Sequence, residues 1–111
     1  MSTFLENFSD KQSVLDAFQA PPDALKGARL LLAWYGYGSY CGSALVIFKR
    51  GGKLYEVNGS HCSCSGLEGQ WDPEETSPDA LLKRDFNGEY DGASEATMKL
   101  HALAKRLKRA A

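Results

Sequence analysis

The side chains most able to do chemistry are concentrated in one glycine- and serine-rich segment, residues 58–71. It contains His61, Cys62 and Cys64, residue types that bind zinc or act as bases and nucleophiles. The segment follows a predicted strand, and loops held by a rigid sheet commonly carry function. In the competing interpretation, these side chains fill a tight turn and Trp71 anchors the segment to the core. The sequence alone leaves both interpretations open.

Zinc binding is the first specific hypothesis for this segment. Structural zinc sites use four nitrogen or sulfur ligands, commonly in pairs separated by about two to four residues. Here a single residue separates Cys62 from Cys64, and His61 is adjacent to Cys62, which makes joint ligation awkward. Cys41 completes a ligand set only if its loop folds over the segment. We therefore expect no metal and no cofactor, and we keep as the alternative a small metal- or ligand-binding module built on Cys41, His61, Cys62 and Cys64.

Cysteine-based catalysis is the second hypothesis. A cysteine nucleophile needs a nearby base and an electropositive setting that favours the thiolate. His61 and His101 are the only histidines in the chain, and the segment around the paired cysteines is acidic. The consecutive carboxylates Glu74 and Glu75 stand in a proline-flanked segment and are interpreted as solvated surface. We predict that the protein is not an enzyme and that its three cysteines are reduced thiols.

A second loop, residues 36–42, has the composition of a recognition loop. It reads Gly-Tyr-Gly-Ser-Tyr-Cys-Gly, and tyrosines among glycine and serine provide contact area at low entropy cost. Its glycines do not fit the dinucleotide-binding pattern, and a strand rather than a helix follows it. The competing interpretation is a hairpin loop whose tyrosines cover the sheet edge.

Three predicted strands must position these two loops. Residues 29–35 are apolar, residues 44–49 are rich in β-branched and aromatic side chains, and residues 53–58 alternate in polarity. A glycine pair at 51–52 supplies a tight turn between the second and third strands. Successive antiparallel strands form a meander, in which the first and third strands run parallel.

This topology brings the 36–42 loop and the 60–71 loop to one end of the sheet, opposite the glycine turn. We therefore predict a partner-binding surface formed by Tyr37, Tyr40, His61 and Glu68, with aromatic groups for contact area and a carboxylate for charge selection.

Helices are predicted at both ends of the chain. Ser9 and Gln12 have the spacing of a capping box, Ser77 or Thr76 can cap a short helix, and a last helix begins near Ser94. With 111 residues and 43% hydrophobic side chains, the chain predicts one α+β domain over residues 1–111. Its expected architecture is a three-stranded antiparallel meander, with a short fourth strand as an option, packed by N- and C-terminal helices.

Charge is distributed unevenly although the total is −1. Residues 26–60 carry five bases and one acid, residues 61–95 carry nine acids and two bases, and the tail from residue 96 carries five bases and no acid. These segments are expected to neutralise one another within the fold. The near-neutral total argues against a general nucleic-acid binder and gives no attraction to a membrane.

Four stretches of the sequence are distinctive. They are Tyr-Gly-Ser-Tyr-Cys-Gly-Ser-Ala-Leu-Val at residues 37–46, Gly-Lys-Leu-Tyr-Glu-Val-Asn-Gly-Ser-His-Cys-Ser-Cys at residues 52–64, Gly-Leu-Glu-Gly-Gln-Trp at residues 66–71 and Pro-Glu-Glu at residues 73–75. Together they resemble a family of small proteins from tailed-bacteriophage genomes. The resemblance implies a phage origin and a role in the cytoplasm of the infected bacterium. It implies no catalytic residues.

Small accessory phage proteins commonly act by binding a host factor. We therefore expect a non-enzymatic protein that binds a host protein or complex and inhibits or redirects it, with a defence component such as a CRISPR effector as a candidate. The resemblance supports this expectation only by association, because fold and origin do not fix function.

Overall fold

The computed structural model describes residues 4–6, 11–37, 42–61, 67, 69–83 and 93–110. Its centre is a five-stranded sheet in the order β1-β2-β3-β4-β5. The strands are β1 (Phe4–Glu6), β2 (Arg29–Tyr37), β3 (Gly42–Arg50), β4 (Lys53–His61) and β5 (Glu74–Glu75), and the helices are α1 (Lys11–Phe18), α2 (Pro78–Leu82) and α3 (Ala93–Ala110). The predicted α+β class and the antiparallel meander, here β2-β3-β4, are confirmed.

Two short strands extend the meander at its edges. β1 pairs with β2 in parallel, and β5 pairs with β4 in antiparallel register, with Glu75 opposite Tyr55. β5 lies in a segment whose proline-flanked sequence indicates a loop. Its pairing continues as the Thr76 N–H donates to the Leu54 carbonyl at 2.9 Å.

The turn between β3 and β4 is the predicted glycine turn. Arg50 lies opposite Lys53, and Gly51 and Gly52 have φ angles of 59° and 80°. Two consecutive positive φ angles match the twist of a two-residue hairpin, and glycine adopts them without a steric penalty.

Both faces of the sheet are covered. The face toward α1 buries an apolar cluster that includes Val14, Phe18, Ala33, Val46, Phe48, Val57 and Leu67. The opposite face, toward α3, buries a second cluster that includes Leu32, Trp34, Leu45, Ile47, Leu81, Leu100 and Leu103. We call these the α1 face and the α3 face.

A bulge in β2 divides its side chains between the two faces. Leu30 lies opposite Phe48 and Leu32 lies opposite Ile47, so Leu31 is an extra residue on this strand. As a result, Leu31 and Leu32 both pack on the α3 face, whereas Leu30 packs on the α1 face. The bulge lets a continuously apolar strand serve two cores.

The helix ends follow local chemistry. α1 ends in a Schellman motif: Ala20 N–H donates to the Leu15 carbonyl and Gln19 N–H donates to the Asp16 carbonyl, with Gln19 at φ 50°. The helix thus ends before the proline pair at residues 21–22. Ser77 caps α2, accepting from Ala80 N–H at 3.2 Å. In the described part of the chain, no helix is long and apolar enough to cross a membrane.

Candidate functional site

The end of the sheet farthest from the glycine turn is the candidate site, and we call it the loop end. Here the backbones of three strands form one row, with Tyr37 opposite Gly42 and Gly42 opposite His61. Tyr37 is the last residue of β2 and His61 is the last residue of β4. The strands therefore deliver the 36–42 and 60–71 segments to the same end of the sheet, as the meander predicts.

The strands run farther into these segments than their sequences suggest. β2 continues through Tyr37, β3 begins at Gly42, and β4 continues through His61. Two predicted site residues, Tyr37 and His61, thus have their backbones in the sheet. The other two, Tyr40 and Glu68, lie outside the described residues, as do Cys41, Cys62 and Cys64.

The segment that leaves β4 is tied back onto the α1 face by Leu67. Leu67 is 1% exposed and belongs to the same cluster as Phe18. A Cβ atom added at Gly59 meets Leu67 Cδ2 at 3.0 Å and Phe18 Cε1 at 3.1 Å. Glycine at position 59 therefore leaves the room that lets Leu67 and Phe18 approach the sheet, a contact that no motif in the sequence reveals.

A turn and an aromatic group complete this attachment. Gln70 N–H donates to the Leu67 carbonyl at 3.1 Å, and Gly69 has a φ angle of 80°, as in a type II turn. Trp71 then meets Phe18 edge-to-face at 5.3 Å and stacks on Phe48 at 6.0 Å between ring centroids. The predicted anchoring by Trp71 is confirmed, although its side chain is half-buried rather than fully enclosed.

Glu56 is a buried carboxylate that the sequence analysis missed. It is 6% exposed, and its Oε1 atom accepts a hydrogen bond from Asn58 Nδ2 at 2.8 Å. The alternation of β4 places Glu56 with Leu54 on the α3 face. The sequence could have indicated this burial, because Glu56 is an acidic residue on a strand face that is otherwise apolar and that a helix covers.

The carboxylates of β5 do not converge. Glu74 lies opposite Glu56 and Glu75 lies opposite Tyr55, so the two side chains point to opposite faces of the sheet. Both are exposed, and Glu75 lies 4.0 Å from the ammonium of Lys53. Among the described residues, no group of three His, Cys, Asp or Glu side chains is placed to hold a metal ion.

The opposite end of the sheet, which we call the turn end, is rich in cations. Arg50 Nη2 donates to the Ala24 carbonyl, and its guanidinium lies 5.5 Å from the centroid of the Phe48 ring. Lys108 bonds Asp79 at 2.8 Å and holds the pKa of this exposed carboxyl below its ordinary value, first by hydrogen bonding and then by charge. Basic side chains here thus fasten neighbouring elements together.

The chain matches no protein-family model, no curated protein and no solved structure.

Proposed function

We propose that this protein is a small, non-enzymatic phage protein that binds a host macromolecule in the bacterial cytoplasm and inhibits or redirects it. A defence component, such as a CRISPR effector, is one candidate partner. The phage assignment rests on the resemblance of residues 37–46, 52–64, 66–71 and 73–75 to proteins of tailed phages.

The observation that carries the proposed binding surface is the row of Tyr37, Gly42 and His61 across β2, β3 and β4. This row supports a continuous surface at the loop end, because the segment that carries the tyrosines and the segment that follows His61 start from neighbouring strands. Leu67 and Trp71 hold the returning segment on the α1 face. Attachment of the segment at Leu67 and Trp71 reduces the ordering cost of binding a partner.

The experiment is affinity capture from host lysate with three forms of the protein. Wild type is compared with a Tyr37→Ala, Tyr40→Ala double variant and with a Lys108→Gln, Arg109→Gln double variant. Because aromatic side chains dominate interface energetics, we expect the tyrosine variant to lose the captured partner and the tail variant to weaken capture less. Thermal unfolding of both variants checks that the fold survives. Loss of capture only in the tail variant would contradict the proposed surface.

Metal analysis separates this proposal from the metal-binding alternative. We expect less than one zinc per chain in the isolated protein, because of the ligand spacing around Cys62 and Cys64. Stoichiometric zinc whose removal by chelation unfolds the protein would favour the alternative.

A further inference from the structure

The turn end carries cations that face one another without an acidic partner among the residues that the structure describes. Arg29 and Lys49 are directly opposite in the β2–β3 ladder, and both are exposed. Directly opposed like charges destabilise a sheet. The exposed Lys26 precedes Arg29 by three residues, in the segment that leads into β2. None of the three side chains forms an ion pair with any residue that the structure describes.

The last turns of α3 reach the same end of the molecule on the α3 face. Lys108 bonds Asp79 near the start of α2. The residue just before the cap of α2, Thr76, bonds Leu54. Leu54 is in turn the cross-strand neighbour of Lys49. This chain of contacts brings the carboxyl end of α3 toward the Arg29–Lys49 pair.

α3 adds further exposed cations at this end. Lys105 and Arg109 are exposed and lie on the solvent side of the helix, away from the buried Leu103 and Ala104. Neither forms an ion pair with a described residue. We call the combined set of Lys26, Arg29, Lys49, Lys105, Lys108 and Arg109 the basic pole.

Local charge rather than net charge decides what this surface attracts. Screening confines the interaction of exposed charges to about 8 Å at physiological salt. The total charge of −1 therefore does not by itself describe the charge at the basic pole.

We propose that the basic pole is a second interaction surface, distinct from the loop end, and that it binds a carboxylate-rich segment of a partner protein. The repulsion between Arg29 and Lys49 destabilises the isolated protein. A bound anion relieves this repulsion, so the relief contributes favourably to the free energy of binding. Glu74, exposed on β5 opposite Glu56, places a carboxylate on the α3 face two strands away from Lys49. A short acidic segment fits a basic surface bounded on this side, whereas a long nucleic acid that crosses the face meets this carboxylate.

The test uses a fluorescent decaglutamate peptide, an oligothymidylate of equal charge and a DNA duplex as probes at low salt. The pole variant is Arg29→Gln, Lys49→Gln. The matched control is Lys53→Gln, Lys99→Gln, which removes the same charge from two exposed lysines outside the pole, one on the α1 face and one in the first half of α3. We expect wild type and control to bind the peptide more tightly than either DNA. The pole variant should lose about tenfold or more in peptide affinity.

Stability provides a second measurement. Because the pole variant removes opposed like charges, its midpoint of thermal unfolding should be equal to or higher than that of wild type. Equal loss of peptide binding in the pole and control variants would overturn the proposal, as would absent peptide binding or tighter binding of either DNA. None of these outcomes bears on the loop end, whose tyrosine variant keeps the basic pole intact.

Discussion

The two ends of the sheet are held in different ways. At the loop end, buried apolar contacts hold the chain: Leu67 packs with Phe18 on the α1 face beside Gly59. At the turn end, a two-residue glycine turn closes the hairpin locally, and exposed ion pairs such as Lys108–Asp79 join neighbouring elements.

This difference shows how one small sheet can offer two kinds of surface. Burial of apolar area holds the loop end, so its polar and aromatic groups can be used for shape-specific contact. Long basic side chains lie at the turn end, and salt weakens their electrostatic interactions. We therefore expect changes at the loop end to alter stability strongly, and changes at the turn end to act mainly through charge.

The largest effect is expected from Trp71→Ala. Removing the indole opens a space beside Phe18 and Phe48 and releases the segment from the α1 face. Replacing a buried aromatic side chain by alanine lowers the free energy of unfolding by about 3–5 kcal/mol. Because Trp71 is partly exposed, we expect a loss of about 3 kcal/mol. Urea-induced unfolding measures it, with Trp71→Phe as the milder control. A loss below about 1 kcal/mol would show that Trp71 does not anchor the segment and would make it a candidate contact residue for the partner.

A smaller loss is expected from Gly59→Val. The added side chain meets Leu67 and Phe18 at distances close to 3.0 Å, and overpacking of this kind costs roughly 1–3 kcal/mol. The cost should fall when Leu67 is also changed to Ala, because the truncated side chain makes room. A double-mutant cycle then gives a coupling energy of at least about 0.5 kcal/mol. Additive losses would mean that Gly59 and Leu67 are not in contact.

Local patterns were sufficient to predict the meander. The alternation of Tyr55 and Val57 against Leu54 and Glu56, together with the glycine turn, fixes which residues of β4 share a face. The Ser77 cap follows from the hydroxyl before a proline-led helix. These features depend on neighbours in sequence, which is why the sequence reveals them.

Features made by distant residues were not predictable. β5 has only two residues and forms because Glu74 and Glu75 meet an open edge of β4, which no local propensity encodes. The close approach of Leu67 to Gly59 and the burial of Glu56 depend on how helices and loops cover the two faces. At the candidate site, topology could bring Tyr37 and His61 to one end, whereas the attachment by Leu67 required the packed structure.

The smallest effect is expected at the turn end, from Lys108→Gln. The Lys108 ammonium bonds Asp79 and lowers the pKa of that carboxyl, with a smaller contribution from Lys83. A carboxyl whose pKa is lowered by folding contributes stability at pH values above its unfolded pKa and loses that contribution as the pH falls through its folded pKa. The substitution should therefore reduce stability slightly at neutral pH and have no effect in strong acid. NMR titration of the Asp79 carboxyl should show a higher pKa in Lys108→Gln than in wild type, and Lys99→Gln should leave it unchanged. Because the pair is exposed, high salt should raise the wild-type pKa toward the variant's. If Asp79 titrates identically in wild type and Lys108→Gln, this ion pair does not join α2 to α3, and the contrast drawn between the two ends fails at the turn end.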